Sequence, residues 1–409
     1  MAMKRTTSLI TDFDNIPVAA LVPEDEQPYE IPAHWKWVRS GKAVSFTGGG
    51  TPSKRDPAYW GGEIPWASVK DLGFDTISCT VDRITESGFR NSSAQLAEPG
   101  DLIVATRIAP GVSAITEIAT TINQDLKIAR SEVVLAEFLK VNFDANFQWF
   151  SNHASGTTVM GVTLQKLHDY PLPLPPIDEQ KAIVEKLRAA NQKIDDVLER
   201  LDHFLEEFPQ KQFTLVQALL AGYGSANYKD DPPKAWKVEP LGKILRVSSG
   251  KGLTAREMHP DGGVPVYGGN GVTGYHDQAC YPAGTIAIGR VGYYCGAVHM
   301  SKEECWVTDN ALVARFNEHE IDKDFLYHLL AHTNLRVNTS SSAQPLISGK
   351  KIYDIEVQIP PLEVQKSITA DIERTVGRLV KVESAVEQTR EMLLSTRSVL
   401  RQKALRGIS

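Results

Sequence analysis

Few patterns in this chain could make or break a bond. Asp231-Pro-Pro-Lys234 begins like the Asp-Pro-Pro-aromatic motif of amino-methyl transfer. Its fourth residue is lysine, so the ring on which a flipped base would stack is missing. No glycine-rich cofactor loop follows a strand at suitable spacing, and no Gly-x-x-x-x-Gly-Lys-[Ser/Thr] loop is present to cradle a nucleotide phosphate. No clustered Asp/Glu-x-Lys pattern suggests a nuclease. The four cysteines, Cys79, Cys280, Cys295 and Cys305, form no Cys-x-x-Cys pair, and no histidine pair stands at zinc-ligand spacing. The expectation is a chain with no catalytic residues, no metal site and no disulfide framework.

Binding chemistry is better represented. In the first half, Thr51, Ser53, Lys54, Arg55, Trp66, Ser68, Lys70, Arg107, Lys127 and Arg130 lie in or beside polar loops. Such residues suit hydrogen bonds to phosphates and base edges. Trp60 and Trp66 also admit a second reading, as core residues beneath the loops. In the second half, Lys251, Tyr267, Asn270, Tyr275, Arg290, Tyr293 and Tyr294 sit in glycine-rich stretches such as Tyr267-Gly-Gly-Asn-Gly271 and Gly289-Arg-Val-Gly-Tyr-Tyr294. Glycine lets backbone approach a groove closely, and Asn or Arg can bond adenine or guanine bidentately. Tight hairpin turns over packed tyrosines are the other reading. Ser341, Gln344 and Lys350, just before the last helical stretch, are backbone-contact candidates.

These loops belong to a repeat. Leu167-His-Asp-Tyr-Pro-Leu-Pro-Leu-Pro-Pro-Ile-Asp-Glu-Gln-Lys181 matches Ile352-Tyr-Asp-Ile-Glu-Val-Gln-Ile-Pro-Pro-Leu-Glu-Val-Gln-Lys366 at an offset of 185, and the offset holds without a gap to Leu220-Ala-Gly222 and Leu405-Arg-Gly407. Upstream, Pro32-Ala-His-Trp-Lys36 matches Pro233-Lys-Ala-Trp-Lys237 at an offset of 201, so the first globular unit is 16 residues longer than the second. Ile64-Pro65 falls opposite Val264-Pro265, and Gly100-Asp-Leu-Ile-Val104 opposite Gly284-Thr-Ile-Ala-Ile288. Two units thus share a frame while their loops differ, as two readers of different sequences should.

The implied order is an extended or mobile arm (1–30), a β-rich globular domain (31–176) with a small helix near Phe147, Trp149 and Phe150, a helix (177–222), a second globular domain (223–360) and a second helix (361–409). In the first helix Ile183, Leu187, Ala190, Ile194, Val197, Leu201, Phe204 and Phe208 form a heptad seam. Pro209 should kink or restart that helix, a short continuation carries Phe213, Leu215 and Val216, and Gly222-Tyr-Gly224 should end it. The second seam runs through Ile368, Ile372, Leu379, Val382, Val386, Leu393 and Leu400, weakened by Thr375, Thr389 and Thr396. Residues 177–222 carry nine acidic and six basic side chains; residues 362–409 carry six acidic and nine basic. Opposite charge favours pairing of the two helices with each other.

The net charge of −6 argues against a protein that coats nucleic acid indiscriminately, and leaves part of any phosphate contact to a partner. With 42% hydrophobic and 23% charged residues, the chain can build proper cores. It lacks a stretch of ~18 uncharged apolar residues and a secretory h-region, so a cytoplasmic protein is expected.

The double repeat, the Pro-Pro-[Ile/Leu]-x-x-Gln-x-x-Ile start of each helix and the Trp-Lys-x-x-x-x-Gly start of each domain resemble type I restriction-modification specificity subunits. So does Gly48-Gly-Gly-Thr-Pro-Ser53 with Tyr59-Trp60 and Ile64-Pro-Trp66, which is similar to one family of target recognition domain. The second unit departs from it, with Ser248-Ser-Gly-Lys-Gly252 in that place. The resemblance implies an α+β fold: two target recognition domains in pseudo-two-fold arrangement, separated by two long helices in an antiparallel coiled coil. It implies a non-catalytic subunit that reads a bipartite double-stranded DNA target and docks two adenine-N6 methyltransferase (modification) subunits and the restriction subunits. S-adenosylmethionine, ATP and Mg2+ would belong to those partners. The rival expectations are a self-sufficient methyltransferase or nuclease, and a coiled-coil scaffold with no DNA role.

Overall fold

A computed structural model describes residues 9–156, 159–221, 236–259, 262–337 and 346–408. Gly222-Tyr-Gly224, Asp231-Pro-Pro-Lys234, Ser341 and Gln344 therefore lie outside the described residues. The fold is α+β. Contacts divide the chain into two compact units, Met1–Arg200 with Thr389–Ser409, and Leu201–Gln388. No helix among the described residues is long and apolar enough to cross a membrane.

The first unit is closed by a two-stranded antiparallel ribbon, Lys36–Arg39 against Pro171–Leu174. Above it stands a five-stranded sheet in the order Ser45–Gly48, Leu126–Arg130, Leu102–Ala105, Ser113–Thr116, Thr76–Ile77. A four-stranded sheet follows the order Asp82–Ile84, Trp60–Ala67, Thr120–Ile122, Gln95–Ala97. Leu102, Ile103 and Val104 are wholly buried, as the continuous apolar run requires of a central strand. Helices Ala136–Ala145 and Phe147–His153 cover the core with Phe138, Phe143 and Phe150. Residues 9–30 are irregular, with short 3-10 turns at Val18–Ala20 and Glu24–Glu26, but they are not loose. Ile10, Ala20 and Val22 are buried, and the Val22 amide donates to the Trp37 carbonyl at 3.0 Å.

The second unit repeats this plan. Its ribbon pairs Lys237–Pro240 with Glu356–Ile359, the same positions shifted by 201 and 185. Its main sheet runs Leu245–Ser249, Ala311–Phe316, Ile286–Gly289, Val298–Met300, and its second sheet Gly271–His276, Val264–Gly268, Trp306–Val307. The first unit has in addition the strands Thr76–Ile77 and Gln95–Ala97 and the helix Glu86–Arg90, which lengthen its loops.

Each ribbon leads into a helix of 44 residues, Ile177–Leu220 and Leu362–Leu405. The shared Pro-Pro-x-x-x-Gln lead-in has a structural cause. Gln180 is fully buried. Its Oε1 accepts from the Leu135 amide (2.9 Å), and its Nε2 donates to the carbonyls of Val133 (2.8 Å) and Pro175 (2.9 Å). Gln365 does the same with the Asp322 amide (2.8 Å) and the carbonyls of Glu320 (3.1 Å) and Pro360 (2.9 Å). One amide side chain thus satisfies three backbone groups and locks each helix to its domain.

Leu187, Ile194, Ile368 and Ile372 are buried; Ile183, Leu201, Leu379 and Val386 are partly covered. Val197 and Val382 remain over a third exposed, which corrects their placement on the seam. Pro209 does not restart the helix. Helical hydrogen bonding continues past it, less the one donor that proline lacks. Within the first unit the two helices run antiparallel: Glu179 and Ala190 line one cavity with Leu400 and Ile408, and Arg397 pairs with Asp195. In the second unit Val216, Leu219 and Leu220 share a core with Ile368 and Ile372.

Candidate nucleic-acid interface

The Gly48-Gly-Gly50 run continues the edge strand Ser45–Gly48 and turns onto the four-stranded sheet. The Gly50 amide donates to the Ile122 carbonyl at 2.9 Å. A Cβ on Gly49 would lie 2.1 Å from the Ile122 carbonyl oxygen, so no larger residue fits. The turn is pinned by Trp66, whose Nε1 donates to the Gly50 carbonyl at 3.0 Å. In the second unit Gly250 makes the same close approach, 2.4 Å to the Val307 carbonyl oxygen. The matching carbonyl, that of Lys251, accepts from Trp306 Nε1 at 3.0 Å. Trp66 pairs with Thr121 across a parallel strand pair, and Val266 with Trp306. The two units thus place their indoles on opposite members of one strand pair and cap the same carbonyl. Ser248-Ser-Gly-Lys-Gly252 replaces Gly-Gly-Gly-Thr-Pro in sequence while keeping its structural job.

Trp66 is only 5% exposed and meets Trp60 edge to face at 5.1 Å. It packs beneath the loop and offers no ring to a ligand, which corrects its inclusion among surface contacts. Tyr267, 9% exposed within an apolar cluster, is corrected likewise; burial raises its phenol pKa.

The first unit's polar candidates fall into two groups. Thr51 donates to Gln124, and Gln124 Nε2 donates to Asp125 (3.2 Å), which also holds Arg107 (3.0 Å). Lys127 Nζ donates to the Gln124 and Leu126 carbonyls at 3.1 and 2.9 Å, and burial pushes its ammonium pKa down. These residues form one cluster at the end of the main sheet. Elsewhere, Lys70 is tied to Asp82 (2.7 Å), Ser68 caps a turn through Asp71, and Arg130 is tied to Asp101 (2.9 Å). Hydrogen bonding to these carboxylates pushes the Lys70 and Arg130 pKa values up. Ser53, Lys54 and Arg55 are exposed, and neither cation has an ion pair among the described residues. In the second unit Arg290 Nη1 donates to Ser249 Oγ (3.3 Å) and the Asp309 carbonyl (3.4 Å), with no carboxylate partner among the described residues. Lys251, Asn270, Tyr275, Tyr293, Tyr294 and Lys350 are exposed, Tyr293 at 84%.

The sequence pattern described as "Type I restriction modification DNA specificity domain" matches residues 32–202 and again 233–386. The chain belongs to the type I restriction-modification specificity subunits. It is 22% identical over 361 residues to the type I restriction enzyme EcoprrI specificity subunit of Escherichia coli, covering 83% of this chain and 87% of that one. It is 27% identical over 250 residues, 56% of each chain, to the MjaIX specificity subunit of Methanocaldococcus jannaschii. The fold matches the HsdS subunit of Thermoanaerobacter tengcongensis over 93% of this chain and 98% of that one, with a TM-score of 0.62 at 20% identity. A chain described under "complex assembly and conformational transition of the type I R-M system" matches with a TM-score of 0.70 at 20% identity, over 93% and 100% of the two chains.

Sequence reading missed one feature of this specificity subunit. Arg107 bridges Gly161, and Val291 bridges Leu346. The offsets of 184 and 185 make the next residues, Ile108 and Gly292, equivalent. Both have left-handed backbone, φ 71° and 76°. For glycine this is free; for a β-branched residue it costs roughly 1–2 kcal/mol. Ile108 is nonetheless 60% exposed. The available signal was the repeat itself, which sets Ile108 opposite a glycine. Among the described residues no cluster of His, Cys, Asp or Glu could hold a metal ion.

Proposed function

We propose that this specificity subunit is a non-catalytic reader in which each domain recognises one half of a bipartite DNA target. The two helices set the distance between halves and dock two adenine-N6 methyltransferase subunits together with the restriction subunits. Methyl transfer, ATP hydrolysis and their cofactors, S-adenosylmethionine, ATP and Mg2+, reside in those partners, and the complex acts in the cytoplasm. The observation that carries this reading is one domain frame built twice on matching glutamine locks, with loops that differ. A major groove distinguishes all four base pairs, and two spaced readers multiply what one can specify.

The test is co-expression with the cognate modification subunit, followed by sequencing for N6-methyladenine. A single bipartite motif with an unvarying spacer is expected. Methylation of no such motif would sink the reading, and methyl transfer by the isolated chain would make it an enzyme.

A further inference from the structure

Ile108 occupies a left-handed turn that glycine fills in the second unit. A buried side chain could offset such strain by packing, but this one stands in solvent. Two further residues share its tip. The Ile108 amide donates to the Met160 carbonyl at 2.9 Å, and Met160 and Val159 are themselves exposed. The tip is firmly mounted. Gly111, at the end of the same loop, sits so close to the buried Phe150 ring that a Cβ there would lie 2.4 Å from it. Arg107 stands beside it with an exposed guanidinium. The second unit builds an apolar tip at the same place from Val291, Tyr293, Tyr294 and Leu346, beside Arg290.

We propose that Ile108 is a specificity-determining residue that contacts the 5-methyl group of a thymine in the major groove, beside an Arg107 whose charge is held by Asp125. This rests on the reading of the chain as a DNA-specificity subunit. The thymine methyl is the apolar group that a base pair presents in that groove. A β-branched side chain is stiff at χ1 and loses little freedom on contact. Backbone strain kept without a packing return is what a functional position shows.

The experiment uses the full chain with its modification subunit, on the half-site that the first domain reads. Each thymine of that half is replaced in turn by deoxyuridine, which removes only the methyl group. Wild type should lose about fourfold in affinity at one thymine, the factor implied by one methyl-sized contact. The Ile108→Gly complex should bind the thymine duplex as weakly as wild type binds the deoxyuridine one, and should no longer tell them apart. It should also unfold at a higher temperature, because the left-handed strain is gone. Ile108→Asn, which tolerates that backbone, should repeat the binding result. If wild type senses no thymine methyl, or if Ile108→Gly senses it fully, the proposal is overturned while the specificity reading stands. A destabilised Ile108→Gly with unchanged binding also overturns it, making Ile108 a support of the loop. Absence of any methylated bipartite motif with wild type would instead remove the reading on which the proposal rests.

Discussion

At the scale of single residues, two glutamines and an arginine carry the clearest consequences. Replacing Gln180 by leucine leaves one amide and two carbonyls without partners at a buried site, and each such group costs about 1–3 kcal/mol. Urea unfolding should show a loss above about 2 kcal/mol, whereas the same change at exposed Gln192 should be near neutral. Gln180→Glu would set an ionised carboxylate against two carbonyls. Its folded pKa would lie above the unfolded value, so stability should rise as pH falls and the carboxyl gains a proton. Arg290 should matter more to binding than Lys70. Lys70 spends its charge on Asp82, while Arg290 is held by neutral oxygens and can turn to a ligand at little cost. Arg290→Ala should weaken specific DNA binding by about 1–3 kcal/mol, with Lys70→Ala several-fold milder in the same titration. These pairings were not legible in the sequence. Lys70, Arg107 and Arg130 read as surface cations, and only the folded chain brings Asp82, Asp125 and Asp101 beside them.

At the scale of elements, the long helices were the most legible part, because heptad spacing is local. The charge difference between them has a contact to show for it: Asp195 and Arg397 meet within the first unit. Both are partly solvated, so Asp195→Lys should cost under about 1 kcal/mol, and adding Arg397→Glu should restore stability in a double-mutant cycle. The second unit's helix Lys323–Ala331 should respond to pH. Burial lowers the pKa of His328, and also of His332, whose ring stacks on Phe213 of the central helix at 4.7 Å. Folded values below the ordinary 6.5 mean that the unfolded chain binds protons first. The stabilising effect is therefore complete above pH 6.5 and is lost as pH falls through that value towards the folded pKa. A pH series of thermal unfolding should show this loss, and His332→Phe should blunt it. What the pattern misjudged at this scale were Val197 and Val382, which stay over a third exposed, and the restart expected at Pro209, through which the helix continues.

At the scale of the whole molecule, the offsets of 201 and 185 in the sequence reappear as ribbon registers: Lys36 opposite Leu174, and Lys237 opposite Ile359. That much was legible because insertions are confined between the ribbon strands, where the extra strands of the first unit lie. The exchanged indoles, Trp66 and Trp306, were not legible, since they occupy unmatched positions and are related only through space. If each domain reads its own half, replacing residues 45–170 with the matching stretch of another specificity subunit should change one half of the methylated motif and leave the other half intact. Methylome sequencing would read this directly, and changes in both halves would contradict it. The ribbon also has a bearing on ancestry. It zips together the strands by which the chain enters and leaves each domain, so everything between them is a cartridge with both contacts on one edge. Two cuts suffice to exchange it, and neither falls in the helix or at its glutamine, provided the incoming domain offers that glutamine the same backbone groups that Val133 and Leu135 present here. If each domain reads its own half, a lineage could acquire a new half-target in one recombination and keep both long helices unaltered.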